Sequence, residues 1–198
     1  MSATPNSSLA ELLARPGARV FHRMLARFGD EHVGRFVAAG VLIPEAPLTE
    51  LGPCSCEVDD CTRVVARAEG RVYSVCLNSR LSNEEITEEH LRSFGFNEAE
   101  WLRRFAAAND VKGVPQEHTT KLAYLGTRSF PGGGAAVLLL RDIRKDELLT
   151  HRMMLKVKHP DQPCLLLVPK RPRLDEGDFA VLALEGHRVV VLPEALAT

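Results

Sequence analysis

The stretch CSCEVDDCTRVVARAEGRVYSVC, residues 54–76, contains four of the five cysteines in this 198-residue chain. Its second half is a run of β-branched and apolar residues interrupted at Glu69-Gly70, a pattern typical of a β-hairpin with a two-residue turn. Side chains alternate between the two faces of a strand. In the register set by this turn, Cys61 and Cys76 point to the same face as diagonal neighbours.

The remaining two cysteines of the stretch lie directly before the hairpin, so their segment can fold over the same face. The thiolates of Cys54, Cys56, Cys61 and Cys76 are therefore expected to converge. Zinc in structural sites takes a closed tetrahedral shell of four such ligands. We predict a structural zinc ion at these residues. A catalytic role is not expected, because four thiolates leave no open position for water.

In outline this pattern resembles a zinc ribbon, which implies a small metal-stabilised hairpin domain. The first arm departs from the usual C-x-x-C knuckle, because it reads C-x-C-x4-C. His90 is therefore an alternative ligand, although it falls on a predicted helix. The fifth cysteine, Cys164, begins an apolar run and is interpreted as a small buried hydrophobic residue.

The segment before the cysteines is predicted to be helical. Apolar residues recur at helical spacing over residues 18–27, and a Gly-Asp turn separates them from a second helix over residues 31–39. A short strand is expected at residues 41–43. Helix, tight turn, helix and strand follow one another in the order seen in winged-helix DNA-binding domains. The segment resembles that family in architecture over about 40 residues.

Four arginines in this segment are candidates for contact with nucleic acid. Arg19, Arg23 and Arg27 recur every four residues and would form one stripe on a helix. Arg35 would point outward from the next helix. Guanidinium groups in such a stripe suit phosphate contacts. The alternative is a helix face that is simply solvated.

Residues 83–110 are rich in acids and are predicted to form two helices, capped by Asn83 and Asn97. Residues 113–115, Gly-Val-Pro, are interpreted as a linker. We accordingly divide the chain into residues 1–50, 51–112 and 118–198.

The last part, residues 118–198, is predicted to be a small mixed α/β domain. Two apolar runs flank the turn Pro131–Gly134, as in a β-hairpin, and a helix, strands and a further helix or strand follow. The continuous apolar runs LLLV and VVVL predict strands that are buried on both faces. The whole chain is thus assigned to the α+β class, with several parts.

A second group of candidate phosphate contacts follows one of these strands. Lys170, Arg171 and Arg173 come directly after the run CLLLVP, at the expected carboxyl end of a strand. Open α/β sheets often bind ligands at this position. The alternative is a charged loop that serves solubility alone.

Composition limits the remaining possibilities. The formal net charge is −1, so the overall field gives no general attraction to nucleic acid or to acidic membranes. No membrane-spanning apolar run and no secretory signal are recognised, and a cytoplasmic location is expected. Clustered cysteines in that compartment indicate a metal site rather than disulfides.

Together these patterns predict a zinc-stabilised nucleic-acid-binding or regulatory protein without catalysis of its own, with DNA or RNA as the partner. The second hypothesis is an adaptor subunit that binds another protein within a larger assembly. The third is a metal-dependent nuclease in the last domain, which needs acids and lysines around a metal ion. The candidates for that chemistry are Asp142, Glu147, Lys156 and Lys158.

Overall fold

The computed structural model describes residues 12–14, 19–21, 25, 29–54, 56, 61–78 and 83–192. The chain divides into two compact units. Gly17–Phe96 forms the N-terminal unit, and Asn97–Thr198 together with Met1–Pro16 forms the C-terminal unit. The described residues form four α-helices and three antiparallel or mixed sheets, which confirms a mixed α+β class. The division into three parts at residues 50 and 112 remains a prediction.

The N-terminal unit contains two antiparallel sheets. In chain order its elements are β1 (Arg19–Phe21), α1 (Asp30–Ala38), β2 (Leu42–Pro44), β3 (Glu50–Pro53), β4 (Thr62–Ala68), β5 (Arg71–Val75), β6 (Glu84–Ile86), a 3-10 helix (Glu88–Leu91) and β7 (Ser93–Phe96). One sheet has the strand order β1-β7-β2 and the other the order β3-β4-β5-β6.

The hairpin β4–β5 turns at Glu69-Gly70, as the sequence predicts. Both turn residues have positive φ, 52° at Glu69 and 76° at Gly70, which matches the twist of the two flanking strands. Val64 pairs with Val75 at the open end of the hairpin. The hairpin forms the centre of a four-stranded sheet, and the resemblance to a zinc ribbon is not confirmed.

The predicted helix over residues 18–27 is wrong at its start, because Arg19–Phe21 forms β1. This strand pairs antiparallel with β7. Val20 is completely buried whereas Phe21 is 41% exposed, an alternation that suits a strand. Pairing with a distant strand has overridden the local helical spacing. The winged-helix resemblance, which requires a helix here, is not confirmed.

The predicted acidic helix that starts at Asn83 is also wrong. Asn83 precedes β6, which adds to the edge of the hairpin by pairing with β5. The following sequence Ser-Phe-Gly-Phe forms β7, where Phe94 and Phe96 are buried. Alternating aromatics around a glycine favour a strand over a helix. The short α1 and the strand after it are close to the prediction.

The C-terminal unit is built on one five-stranded mixed sheet. In chain order its elements are α2 (Glu98–Ala108), β8 (Gln116–Thr119), β9 (Leu122–Phe130), β10 (Gly133–Leu140), a 3-10 helix (Lys145–Glu147), α3 (Leu148–Lys158), β11 (Cys164–Val168), α4 (Glu176–Leu184) and β12 (Arg188–Val191). The strand order is β12-β11-β10-β9-β8. β8, β9 and β10 are antiparallel, whereas β10, β11 and β12 are parallel and joined through α3 and α4.

One face of this sheet packs against α3 and α4. Leu138 of β10 and Leu166 of β11 share a buried cluster with Leu155 of α3 and Leu182 of α4. This arrangement follows from the handedness of β-α-β connections, which places successive crossover helices on the same side. Cys164 is 2% exposed and belongs to the same cluster, so its assignment as a core residue is confirmed.

The opposite face lies next to α2, which packs against β9. Val137 and Leu165 border a small apolar cavity of about 150 Å³ together with Phe105 of α2. The central strands β10 and β11 are thus covered on both faces, as the run LLLV predicts, whereas the run VVVL falls in the edge strand β12, whose valines are half-buried. The helix start is also as predicted, because the side chain of Asn97 accepts a hydrogen bond of 3.2 Å from the backbone N–H of Glu100.

An ion pair between α3 and the end of α4 gives this unit a testable acid dependence. Arg152 lies 2.5 Å and Lys156 2.9 Å from the Glu185 carboxylate. The hydrogen bonds from Arg152, followed by those from Lys156, lower the pKa of Glu185 from 4.5 to about 2. A lowered carboxyl pKa adds stability above pH 4.5 that is lost as the pH falls towards 2.

We therefore expect Glu185→Gln to reduce the loss of stability of the protein between pH 4.5 and 2. Thermal melts at steps of pH measure this slope. Glu176→Gln is the matched control, because Glu176 begins the same helix and its side chain is exposed. Equal acid slopes in the wild type and in Glu185→Gln would contradict the assignment.

Candidate metal centre and basic cleft

The four cysteines of residues 54–76 meet at one end of the sheet β3-β4-β5-β6. Cys54 follows β3, Cys61 precedes β4 and Cys76 follows β5. The backbone N–H of Cys54 donates a hydrogen bond of 2.7 Å to the carbonyl oxygen of Cys61. This bond closes the loop that contains Cys56. The pairing of β3 with β4 and of β4 with β5 therefore holds the other three cysteines, Cys54, Cys61 and Cys76, at the same end of the sheet.

The sulfur atoms of these cysteines have the spacing that a tetrahedral metal needs. All four Sγ atoms lie within 4.8 Å of one another, and those of Cys61 and Cys76 are 3.8 Å apart. A Zn–S distance of about 2.3 Å gives a tetrahedral S–S edge of about 3.8 Å. All four cysteines are free thiols rather than disulfides. The cluster therefore fits a metal ion with four thiolate ligands.

The surroundings of the sulfur atoms also suit a structural ion. Cys61 and Cys76 are buried, and Cys54 and Cys56 are half-buried. The side-chain amide of Asn78 donates a hydrogen bond of 3.4 Å to the Cys61 sulfur. Such bonds to a ligand atom orient it and stabilise its charged form.

Without a metal ion, the cluster disfavours the thiolate form of Cys54. A backbone hydrogen bond from Cys56 lowers the pKa of Cys54, but burial and the neighbouring thiols outweigh it and raise the pKa overall. A metal ion reverses this balance, because its positive charge replaces the protons that the thiols otherwise keep.

The alternative ligand His90 is not part of the cluster. Its Nδ1 accepts a hydrogen bond of 3.2 Å from the backbone N–H of Thr87, within the cap of the 3-10 helix. In the described part of the chain, the four cysteines are the only group of three or more Cys, His, Asp or Glu residues whose ligand atoms converge. The candidate set for zinc is therefore the one that the sequence predicts.

We compared the chain with protein-family models, curated proteins and solved structures. None of them matches it. Among the helices that the structure describes, none is long and apolar enough to cross a membrane.

A cleft of about 690 Å³ opens at the carboxyl ends of β10 and β11. Its walls are the loop that follows Leu140 and the loop that follows Val168. The side chains around it carry six positive charges and one negative charge. The charged lining residues are Arg141, Asp142, Arg144, Lys145, Lys170, Arg171 and Arg173.

The cations of the cleft differ in whether they already have partners. Arg144 pairs with Asp142 at 3.4 Å, and Lys145 pairs with Asp175. Arg141 is buried in a pair with Glu98 at 2.9 Å.

The other three cations, Lys170, Arg171 and Arg173, are exposed, and within the described residues none of them makes an ion pair. We call these three residues the open cations of the cleft. A ligand can bind these charges without breaking an ion pair to any residue that the structure describes.

The arginines of the N-terminal unit are placed differently. Arg19 lies in β1 and pairs with Glu45 at 2.6 Å, and Arg35 pairs with Glu31 at 2.6 Å. Arg23 and Arg27 fall outside the described residues, so the predicted stripe is not confirmed. The structure thus places Lys170, Arg171 and Arg173 around one cleft. In the N-terminal group of arginines, the two described members, Arg19 and Arg35, are each neutralised by a glutamate.

The acids and lysines proposed for a nuclease are separated into different contacts. Asp142 lines the cleft, whereas Glu147 accepts hydrogen bonds of 2.6 and 2.8 Å from Lys121. Lys156 contacts Glu185, the residue that caps the end of α4, at 2.9 Å. Among the described Cys, His, Asp and Glu residues, Asp142 and Glu147 belong to no group of three or more with converging ligand atoms. The nuclease hypothesis stays a prediction.

Proposed function

We propose that this protein is a zinc-stabilised, non-catalytic nucleic-acid-binding protein that contacts phosphates through the cleft of its C-terminal unit. The observation that carries the proposal is the set of three open cations, Lys170, Arg171 and Arg173, in that cleft. The four cysteines of the N-terminal unit hold the zinc ion.

Zinc is the metal that best suits the cysteine cluster. Four thiolates in tetrahedral array select zinc or iron–sulfur chemistry, and zinc is typical of single-ion structural sites. The S–S distance of 3.8 Å between Cys61 and Cys76 agrees with a zinc-centred tetrahedron. A closed shell leaves no position for water, so the ion supports folding rather than catalysis.

Phosphate is the ligand chemistry that best suits the open cations. Two of the three are arginines, whose planar guanidinium groups bind phosphate oxygens through paired hydrogen bonds. The cleft lies outside the carboxyl ends of two adjacent parallel strands, the position where open α/β sheets bind ligands. Because the net charge of the protein is −1, attraction to a polyanion has to arise at such a local patch.

Replacing the open cations should weaken binding to nucleic acid and reduce its dependence on salt. Each phosphate of duplex DNA that a cation neutralises contributes roughly 0.9 to the log–log salt slope, so removing three such cations lowers the slope by about 2.7. Fluorescence anisotropy with labelled duplex DNA, single-stranded DNA and RNA at two salt concentrations measures both quantities. The variant is Lys170→Ala/Arg171→Ala/Arg173→Ala.

The matched control removes three other exposed positive charges. Arg71, Arg103 and Arg104 each pair with a glutamate, so their replacement by alanine changes the net charge equally but removes no open cation. We expect this control to bind almost as the wild type does. If the wild type shows no salt-sensitive binding to DNA or RNA, the nucleic-acid proposal is wrong.

A separate surface favours the adaptor hypothesis as the second candidate. Leu149, Met153 and Val157 recur every four residues on α3 and are 62%, 61% and 76% exposed. Three large apolar side chains in one exposed row are typical of a helix face that binds a protein partner. This function predicts no salt-sensitive binding to nucleic acid, so the same titration separates the two candidates.

A further inference from the structure

The basic cleft of the C-terminal unit has an apolar inner wall, which phosphate binding alone does not use. Its lining includes Leu140, Ile143 and Val168, which are at most 4% exposed, and the half-buried Pro172. The buried guanidinium of Arg141 also lines it but is already neutralised by an ion pair. Because these apolar residues are largely buried and the open cations are exposed, the cleft is apolar inside and positively charged at its rim.

The size of the cleft suits a single small molecule rather than a double helix. Its two walls are loops that leave the neighbouring parallel strands β10 and β11, whose backbones lie about 4.8 Å apart. Its volume of about 690 Å³ falls in the range of about 300–1,000 Å³ that is typical of pockets for drug-sized ligands. One nucleotide belongs to this size class. In a duplex the bases are stacked and paired inside, so a duplex presents only its phosphates to the rim.

The open cations are arranged around one point rather than along a groove. Lys170 and Arg173 are three residues apart, so the backbone between them spans at most about 11 Å. The one carboxylate of the lining, Asp142, is held by Arg144 at 3.4 Å, which reduces its repulsion of an anion. A compact positive rim above an apolar wall matches a ligand with an anionic group joined to a flat, weakly polar ring. A nucleotide has this chemistry.

We propose that the cleft binds one unpaired nucleotide, with its base against the apolar inner wall and its phosphate at the open cations. The protein therefore prefers single-stranded DNA or RNA to a duplex. Extracting a base from a duplex costs its pairing and stacking, whereas the base of a single strand is free to enter the cleft. This inference rests on the proposed nucleic-acid function and adds the form of nucleic acid that is bound.

The preference can be measured with one labelled oligonucleotide, alone and annealed to its complement, at the same salt concentration. Fluorescence anisotropy should show the single strand bound at least about fivefold more tightly, the lower end of what contact with one base contributes. Lys170→Ala/Arg171→Ala/Arg173→Ala should weaken binding of both forms. Equal affinity for the two forms would contradict the inference and leave the nucleic-acid proposal standing. An absence of salt-sensitive binding to either form would refute both.

Competition on the wild-type protein tests the contact with the base separately. Adenosine 5′-monophosphate and inorganic phosphate both carry a phosphate group, so only the nucleoside distinguishes them. The nucleotide should displace the labelled strand at a concentration at least about fivefold lower than inorganic phosphate does. Equal displacement would show that the apolar wall binds no base. If the free nucleotide bound more tightly than the strand, the cleft would be a site for free nucleotides and the inference would be wrong.

A pair of proline variants tests the wall without changing the charge of the cleft. Pro172→Ser removes apolar surface between two open cations, so it should reduce the advantage of the nucleotide over inorganic phosphate. Pro115→Ser is the matched control, because Pro115 is also half-buried in a loop but does not line this cleft. It should keep the wild-type advantage. An unchanged advantage in Pro172→Ser would contradict the placement of the base.

Discussion

Cys61→Ser should lose its zinc and fail to fold its N-terminal unit. Structural zinc binding contributes about 10–16 kcal/mol in small zinc domains, which is comparable to the whole stability of a typical domain. The Cys61 sulfur is buried, lies 3.8 Å from the Cys76 sulfur and accepts a hydrogen bond of 3.4 Å from the side-chain amide of Asn78. Elemental analysis and thermal melting measure the two losses.

The matched control for this variant is Cys164→Ser. Cys164 is also buried, but its S–H donates a hydrogen bond of 3.5 Å to the carbonyl oxygen of Gln162 rather than contacting other cysteines. Burial raises the pKa of Cys164 to about 11, and among the described residues Cys164 belongs to no group of converging ligand atoms. We expect about one zinc per chain both in this control and in the wild type. Equal zinc contents in the two variants would show that the division of the cysteines into zinc ligands and one core residue, Cys164, is wrong.

Arg141→Ala should be the most destabilising single change in the charged residues of the C-terminal unit, at about 3–5 kcal/mol. The guanidinium is 5% exposed, donates a hydrogen bond of 2.7 Å to the carbonyl oxygen of Thr120 and pairs with Glu98 at 2.9 Å. Its removal leaves the Glu98 carboxylate half-buried without a cation. Urea unfolding measures the change.

The pH dependence of this destabilisation has a definite sign. Burial already raises the pKa of Glu98 above 4.5, against the effect of Arg141. A carboxyl group with a raised pKa favours the folded state below pH 4.5 and loses that contribution as the pH rises through its folded value. Without Arg141 the raised pKa moves further up, so Arg141→Ala should be less damaging at about pH 4 than at about pH 7.

Arg144→Ala is the control that shows how far the loss of stability depends on the burial of Arg141. Arg144 lies in the same loop and pairs with Asp142 at 3.4 Å, but its side chain is 66% exposed. Exposed pairs contribute about 0–1 kcal/mol, so this variant should unfold nearly as the wild type does. If Arg141→Ala and Arg144→Ala lost the same free energy of unfolding, the buried Arg141–Glu98 pair would stabilise the protein no more than the exposed Arg144–Asp142 pair.

The features that sequence alone predicts are those decided by local spacing. The turn at Glu69-Gly70 sets the hairpin register, and this register brings Cys61 to Cys76. The cap at Asn97 and the continuous apolar strands of the C-terminal unit were likewise predicted from short stretches of sequence. Each depends on residues close in sequence, where steric and hydrogen-bonding preferences act directly.

The features that sequence did not predict depend on distant partners. Residues 19–21 have helical spacing but pair with β7, far along the chain. The charges of Arg19 and Arg141 are neutralised by Glu45 and Glu98, at sequence separations of 26 and 43. Only the fold shows which cations are left open.

The position of the cysteines at one end of three strands has a consequence for how the N-terminal unit reaches its native state. Slipping β4 against β5 by one residue sends Cys61 and Cys76 to opposite faces of the sheet, since side chains alternate along each strand. Such a mispaired hairpin cannot gather four ligands. A metal ion at this site would therefore bind only those chains in which the strands are correctly paired. Chains with a mispaired hairpin would stay metal-free, and they could then refold or be degraded.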